Sequence, residues 1–188
     1  MRRVLDAAGL SGISLISLDE VEQFDEVPET GRTFEENALT KARDAFAATG
    51  LASVADDSGL EVDALNGMPG VLSARWAGVH GRDAENNALL LAQLRDVPDQ
   101  RRGAAFVSAS ALVSPAGEVV VRGRWPGRIA RQPRGDGGFG YDPVFIPDGY
   151  DCSAAQLRPD EKDAVSHRGR ALALLLPALR ALRERSGS

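Results

Sequence analysis

Val54-Ala55-Asp56-Asp57-Ser58-Gly59 is the stretch around which the rest of the chain is arranged. An apolar run over residues 51–55 predicts a buried strand, and two adjacent carboxylates, a hydroxyl and a glycine follow it directly. We therefore expect the acids at the C-terminal end of the strand, which is where open α/β sheets bind ligands. Burying adjacent carboxylates costs free energy unless a cation or hydrogen bonds compensate. The alternative is a solvated Asp-Asp-Ser-Gly turn, which is a common surface feature.

Helices are predicted before and after this strand. Thr33 and Glu36 form a capping box that starts a helix, and the helix runs to about residue 49 and ends at Gly50. Asp83 is expected to cap a helix that follows it. The other segments with helical spacing or helix-start signals are residues 1–8, 84–95, 159–160 and 168–185.

Apolar and β-branched runs predict further strands. They are residues 13–18, 60–65, 104–113, 118–129 and 144–146. The turn over residues 115–117 joins two of these runs into a long hairpin. The pattern predicts an α/β fold with a mixed, twisted sheet flanked by helices, and residues 1–188 contain no linker that would divide this single domain.

Composition restricts the classes of partner. The chain has 188 residues, with 22 Lys and Arg against 27 Asp and Glu, so its formal net charge is -5. This balance argues against a broad nucleic-acid or membrane surface, although a local cluster could still bind a small anion. Cys152 is the single cysteine, so an internal disulfide cannot form, which fits a reducing cytoplasm. We also expect no membrane-spanning segment, because no apolar run is long enough.

Three groups of side chains could act together in chemistry. They are Glu29 with Asp56 and Asp57, the glycine-rich residues 134–143 with Phe139 and Tyr141, and Lys162 with His167, Arg168 and Arg170. Magnesium takes one or two protein carboxylates and fills its other positions with water and substrate phosphates, so the acidic group could hold it. The basic group could bind phosphates or base edges, and Phe139 could stack on a base.

Each group also has a purely structural interpretation. The glycine-rich segment could be a tight loop with Phe139 packed into the core. The basic group could be the solvated start of a helix, in which His167 is structural. Glu29 could simply be a solvated residue of an acidic loop.

Five stretches in a fixed order carry a family resemblance. They are 29–42 (ETGRTFEENALTKA), 55–60 (ADDSGL), 67–75 (GMPGVLSAR), 137–143 (GGFGYDP) and 161–172 (EKDAVSHRGRAL). The chain resembles the inosine triphosphate pyrophosphatase family, whose members hydrolyse non-standard purine nucleoside triphosphates. The resemblance implies an elongated mixed α/β fold with the site in a cleft, a homodimer, and hydrolysis of dITP, ITP and XTP to the monophosphate and pyrophosphate.

The resemblance also implies roles for individual residues. Glu29 and Asp57 would bind Mg²⁺, and Asp57 would also be the catalytic residue that orients or deprotonates the attacking water. Phe139 would stack on the base. The full set of implied substrate-binding residues is Ser58, Phe139, Gly140, Tyr141, Asp142, Lys162, His167 and Arg168.

One departure from the family concerns the start of the chain. The family begins with a strand and a Thr/Ser-x-x-Asn-x-x-Lys loop that cradles the triphosphate, and this sequence has no such motif. We therefore expect the chain to be N-terminally incomplete relative to the family, either because its start codon is assigned too late or because of a true deletion. If the chain starts at Met1, we expect weaker nucleotide binding and lower stability. The alternative functions are nucleotide binding without efficient turnover, and a structural domain whose acids are only turn residues.

Overall fold

The structure is a computed structural model that describes residues 13–22, 24 and 28–186. The helix predicted over residues 1–8 lies outside the described residues. Among the described helices, none is long and apolar enough to cross a membrane.

The sheet of the described residues has four strands in the order β1-β2-β3-β4. The strands are β1 Ser53–Val62, β2 Gly103–Ser114, β3 Gly117–Ile129 and β4 Phe145–Pro147. The predicted long hairpin is confirmed, because β2 and β3 pair antiparallel from Gly103 opposite Arg128 to Ser114 opposite Gly117. Every described neighbouring pair is antiparallel, where the sequence predicted a mixed sheet.

Four α-helices within residues 28–186 accompany the sheet, which confirms the α/β prediction. They are α1 Phe34–Thr49, α2 Asp83–Gln93, α3 Pro159–Val165 and α4 His167–Ser186. Short 3-10 helices cover Leu18–Glu20, Asp63–Leu65, Gly70–Arg75, Asp99–Arg101, Asp142–Val144 and Ala154–Gln156.

Strand β2 is buried on both faces, and this arrangement creates the layers of the fold. On one face, Val107 and Val113 pack against Phe34 and Ala38 of α1. On the other face, Leu112 packs against α4, whose buried positions are Leu172, Leu175 and Leu179. These leucines form the inward face of the last helix. The sheet therefore lies between α1 and α4.

The predicted break in the central strand is wrong. The sequence indicated one strand over residues 51–55 and another over 60–65, whereas β1 runs without interruption from Ser53 to Val62. The reason is that β2 offers a hydrogen-bonding partner to all of β1, including Ser110 opposite Asp56 and Ala109 opposite Asp57. The two carboxylates therefore lie in mid-strand, and neither the strand-end position nor the solvated turn describes them.

Residues 13–18 do not form the predicted strand. Residues 13–17 have no regular secondary structure and Leu18 begins a 3-10 helix. Ile13 and Leu15 still pack against the leucine cluster of α4. An alternating pattern buries one side of a segment, but a strand also needs a hydrogen-bonded neighbour, and no described strand pairs with these residues.

The start of α1 differs from a full capping box. The Thr33 hydroxyl accepts a hydrogen bond from Glu36 N at 3.1 Å, as predicted. The Glu36 carboxylate instead accepts from Arg32 N at 2.6 Å, one residue before the expected position. Gly50 ends the helix in the left-handed region with φ 68°.

Candidate active site

The acidic part of the site is built around one ammonium group. Lys41 Nζ, on α1, forms an ion pair with Glu29 Oε1 and lies 3.7 Å from Asp57 Oδ1 on β1. The two carboxylates that the sequence analysis assigned to a metal therefore face the same cation. Lys41 was not among the predicted site residues.

Asp57 is fixed by two hydrogen bonds. Asn37 Nδ2 donates to Asp57 Oδ2 at 2.8 Å, and the Ser58 backbone N–H donates to Asp57 Oδ1 at 3.0 Å. Burial raises the pKa of the Asp57 carboxyl above its ordinary value, and the nearby Glu29 carboxylate adds to the rise, while Asn37 and Lys41 act against it. Asp57 is thus an oriented carboxylate in a partly desolvated place.

Glu29 is held from a second side by Arg75. Arg75 Nη1 lies 3.7 Å from Glu29 Oε2, and Arg75 Nη2 donates to the Glu29 carbonyl at 3.4 Å. The interpretation of Glu29 as merely solvated is therefore wrong. Asn37 and Lys41 could have been found from sequence, because residues four apart on a helix share a face and α1 follows the Glu29 loop directly.

Asp56 belongs to a different part of the site from Asp57. Adjacent residues of a strand point to opposite faces, and Asp56 Oδ2 accepts hydrogen bonds from Arg168 Nε at 3.1 Å and Ser58 Oγ at 3.0 Å. Asp56 is exposed. It therefore connects β1 to the basic residues at the start of α4, while Asp57 faces Glu29 and Lys41.

The glycine-rich loop presents an aromatic ring to solvent. Phe139 is 60% exposed, so the interpretation of this residue as part of the core is wrong. Lys162 Nζ lies 4.9 Å and Arg168 Cζ 5.2 Å from the centre of its ring. Cations at these distances attract the face of an aromatic ring. The arrangement offers a planar apolar surface bordered by hydrogen-bond donors.

Asp142 and Tyr141 lie beneath this surface. The buried Asp142 carboxylate forms an ion pair with Lys162 and accepts a hydrogen bond from Phe139 N at 2.8 Å. The Tyr141 hydroxyl donates to Ser73 O at 2.8 Å, and burial, together with the Asp83 charge, raises the pKa of the phenol. Asp142 thus links the loop to Lys162 of α3, and Tyr141 ties the loop to Ser73.

His167 is buried under the basic group. Its ring stacks on Phe106 with centroids 4.8 Å apart and an interplanar angle of 12°. Burial, with the Arg168 and Lys162 charges, lowers the pKa of His167 to about 3, so the imidazole is neutral near pH 7. Its Nδ1 atom has no hydrogen-bond partner within the described part of the chain.

The predicted site residues come together in two connected parts. Glu29 and Asp57 form the acidic part, while Phe139, Lys162 and Arg168 form the aromatic and basic part. The Arg168–Asp56 contact and Ser58 join the two along β1. The described residues contain no cluster of three or more His, Cys, Asp or Glu side chains suited to a metal. A pair of carboxylates that already faces one cation nevertheless has the donor chemistry of a magnesium site that is completed by water and phosphate oxygens.

Sequence and structure comparisons agree on the relatives of this chain. The Ham1 family profile matches residues 1–178. The chain is 76% identical over 188 residues to a dITP/XTP pyrophosphatase from Mycolicibacterium paratuberculosis, covering 100% of this chain and 92% of the relative. It is 78% identical over 182 residues to a dITP/XTP pyrophosphatase from Mycobacterium tuberculosis, covering 97% and 89% respectively.

A solved structure gives the same result for the fold. The crystal structure of a nucleoside-triphosphatase / dITP/XTP pyrophosphatase from Mycobacterium abscessus superposes with a TM-score of 0.80 at 68% identity, covering 95% of this chain and 91% of that chain. Sequence, fold and the five motif stretches therefore lead to one assignment, and this chain belongs to the Ham1 family.

Proposed function

We propose that this protein hydrolyses non-canonical purine nucleoside triphosphates (dITP, ITP and XTP) to the monophosphate and pyrophosphate. The observation that carries the proposal is a pair of cation-sharing carboxylates, Glu29 and Asp57, that is connected to the exposed Phe139 ring. The connection is Asp56, the neighbour of Asp57 on β1, which pairs with Arg168 beside that ring. The dITP/XTP pyrophosphatases similar to this chain over nearly its full length support the same activity.

The reaction requires a water oxygen to attack the α-phosphorus while the bond to the α–β bridging oxygen breaks. Asp57 is oriented by Asn37 and the Ser58 N–H, so its carboxylate can position that water and accept its proton. The pyrophosphate leaves with the bridging oxygen. Lys41, beside Asp57, adds positive charge where charge builds on the phosphate oxygens.

Magnesium is the cofactor that suits this pair of carboxylates. Glu29 and Asp57 would hold it, and substrate phosphates and water would supply the remaining ligands. When bound, the ion would neutralise charge on the phosphate oxygens.

Base selection is assigned to the aromatic and basic part of the site. Phe139 offers a face on which the purine stacks. Hypoxanthine and xanthine carry a 6-keto acceptor where adenine carries an amino donor. Arg168, which lies beside the ring, can donate a hydrogen bond to the keto group. With adenine, the Arg168 donor would instead face the 6-amino donor, and such a mismatch discriminates strongly against adenine.

The cellular role follows from the proposed substrates. Removal of non-canonical nucleotides from the pool is a house-cleaning activity that we place in the cytoplasm, with a small molecule as the partner and no nucleic acid or membrane. A homodimer is part of the proposal, and light scattering after size-exclusion chromatography tests it.

The deciding experiment is pyrophosphate release from dITP, XTP, dATP and dGTP, with Mg²⁺ and with a chelator. Rapid, chelator-sensitive turnover of dITP and XTP and slow turnover of dATP and dGTP is the expected result. The Arg168 contact accounts for the slow turnover of dATP only, because guanine also carries a 6-keto group. Turnover that survives the chelator would remove magnesium from the proposal. Binding of dITP without turnover would favour the alternative of a nucleotide-binding protein.

A further inference from the structure

The main chain of the aromatic loop is held by helix α2. Gly140 N donates a hydrogen bond to Asp83 Oδ2 at 2.7 Å, and Asn87 Nδ2 donates to Gly140 O at 2.9 Å. Asp83 and Asn87 are four residues apart, so they lie on one face of the helix. Asp83 does not form the predicted N-cap, because Arg82 occupies that position and Asp83 lies in the first turn. Its carboxylate is therefore available to the loop.

The two hydrogen bonds of Gly140 with Asp83 and Asn87, called the clamp below, hold the residue next to the ring that would stack on the base. Gly140 is in the left-handed region with φ 59°, and the preceding Phe139 N–H is bonded to Asp142 Oδ2 at 2.8 Å. The Phe139 main chain is thus fixed on both sides. The ring itself is 60% exposed and has Lys162 and Arg168 near its face, so its position also depends on this backbone.

Helix α2 is a firm support for the clamp. Asn87 is 8% exposed and the adjacent Asn86 is 2% exposed. The Asn86 amide accepts from Ala77 N at 2.7 Å and donates to Ala74 O at 3.3 Å, which ties α2 to the segment that carries Arg75. Leu90 of the same helix is fully buried. A side chain on this helix therefore has a defined position relative to the rest of the site.

We propose that Asp83 and Asn87 are positioning residues for base recognition, which act by holding the Gly140 peptide groups and hence the Phe139 ring. The inference rests on the proposed function, since it assumes that Phe139 stacks on the base. The affinity for a nucleoside triphosphate then has two separate contributions. The base-dependent part requires the clamp, while the phosphate-dependent part at Glu29 and Asp57 does not.

The test compares a ligand that has a base with one that lacks it. In Asp83→Ala and in Asn87→Ala, the KM for dITP rises about tenfold with a smaller change in kcat, because a lost hydrogen bond of this kind loosens the loop and not the acidic part. The inhibition constant of inorganic tripolyphosphate stays within about twofold, since that ligand lacks a base. Asp83→Asn restores most of the affinity, because an amide oxygen can still accept from Gly140 N.

Two further variants complete the design. Glu85→Ala is the matched control, because Glu85 lies on the same helix and pairs with Arg82 at 3.3 Å on the exposed side. Asn87→Asp keeps the shape of the side chain but cannot donate to the Gly140 carbonyl when ionised, so it tests the clamp if an alanine variant fails to fold.

The outcomes distinguish this inference from the proposed function. If the inhibition constant of tripolyphosphate rises as much as KM, Asp83 and Asn87 support the whole site and not base recognition alone, and the inference is overturned. An unchanged KM would also overturn it. If the wild-type protein does not turn over dITP, the proposed activity fails. Calorimetric dissociation constants for dIMP in the same variants then decide the inference, with a weakening of about tenfold expected and equal values overturning it.

Discussion

Asn37 Nδ2 donates a hydrogen bond to Asp57 Oδ2 at 2.8 Å, which joins helix α1 to the middle of strand β1. The other end of the same amide, Oδ1, accepts from Gly31 N at 2.8 Å. A side chain at Gly31 would collide with it, since a Cβ there would lie 2.5 Å from Asn37 Oδ1. One buried amide thus fixes the chain next to Glu29 and the carboxylate of Asp57 together.

Replacing Asn37 tests this connection. Asn37→Ala leaves the Gly31 N–H and Asp57 without a partner, and we expect the free energy of unfolding to fall by about 1–3 kcal/mol. We also expect kcat/KM for dITP to fall about tenfold or more, because Asp57 is no longer oriented. Urea unfolding and steady-state kinetics measure the two effects.

The control for this variant is Asn86→Ala, which also removes a buried amide with two hydrogen bonds, in this case both to backbone groups. It should lose similar stability and keep more activity. If both variants lose the same activity at equal stability, Asn37 has no special relation to Asp57.

Asp57 itself is expected to be required for turnover. Asp57→Asn keeps the size of the side chain and removes the charge that accepts a proton, so pyrophosphate release should fall by about 100-fold or more. The melting temperature should change little, because burial already makes the charged form of Asp57 less favourable. Asp96→Asn, at an exposed position, is the control. A near-normal rate in Asp57→Asn would remove this residue from the mechanism.

Lys41 is expected to stabilise the site when no divalent cation is present. Lys41→Met leaves Glu29 and Asp57 without the ammonium that both face, and like charges in proximity are unfavourable. The melting temperature should therefore fall in chelator and recover with Mg²⁺ by more than in the wild type. Calorimetric scans with and without Mg²⁺ measure this difference.

Arg43→Met provides the comparison for Lys41→Met, because Arg43 lies on the same helix and pairs with Glu118 away from the site at 2.7 Å. Its melting temperature should respond to Mg²⁺ as the wild type does. An equal Mg²⁺ response in Lys41→Met would contradict a shared cation position.

His167 should make the protein less stable in acid. Its pKa is about 3 in the folded state against an ordinary value of 6.5, so between these pH values only the unfolded chain binds the proton. The contribution of neutral His167 to the free energy of unfolding is complete above about pH 6.5. It is lost as the pH falls towards 3, at up to about 1.4 kcal/mol per pH unit.

His167→Phe preserves a ring next to Phe106 and cannot take up the proton. The free energy of unfolding of this variant should therefore fall less steeply than that of the wild type between pH 6.5 and 4. The difference in the free energy of unfolding between the two proteins at pH 8, where histidine is neutral in both the folded and the unfolded wild type, measures the effect of the substitution on packing. Parallel curves in acid would show that His167 is not buried in its neutral form.

Much of the local structure was predictable because it depends on neighbouring residues. Thr33 and Gly50 mark the ends of α1, and the turn after Ser114 joins two β-rich runs into the hairpin. The acidic pair, the aromatic loop and the basic group were also visible, since their side-chain chemistry is a property of the sequence. The functional roles of Glu29 and Phe139 could not be distinguished from the purely structural interpretations, because exposure and ion pairing depend on distant segments.

The sequence by itself determined which residues can cap, turn, stack or carry charge, because these properties belong to single residues and their near neighbours. Only the tertiary structure decided where the carboxylates lie. Pairing with β2 extends β1 through Asp56 and Asp57, and the alternation of strand side chains sends one towards Arg168 and the other towards Lys41. The Asp83–Gly140 contact spans 57 positions of the chain. Contacts over such separations are set by packing of the whole domain, so local sequence patterns do not predict them.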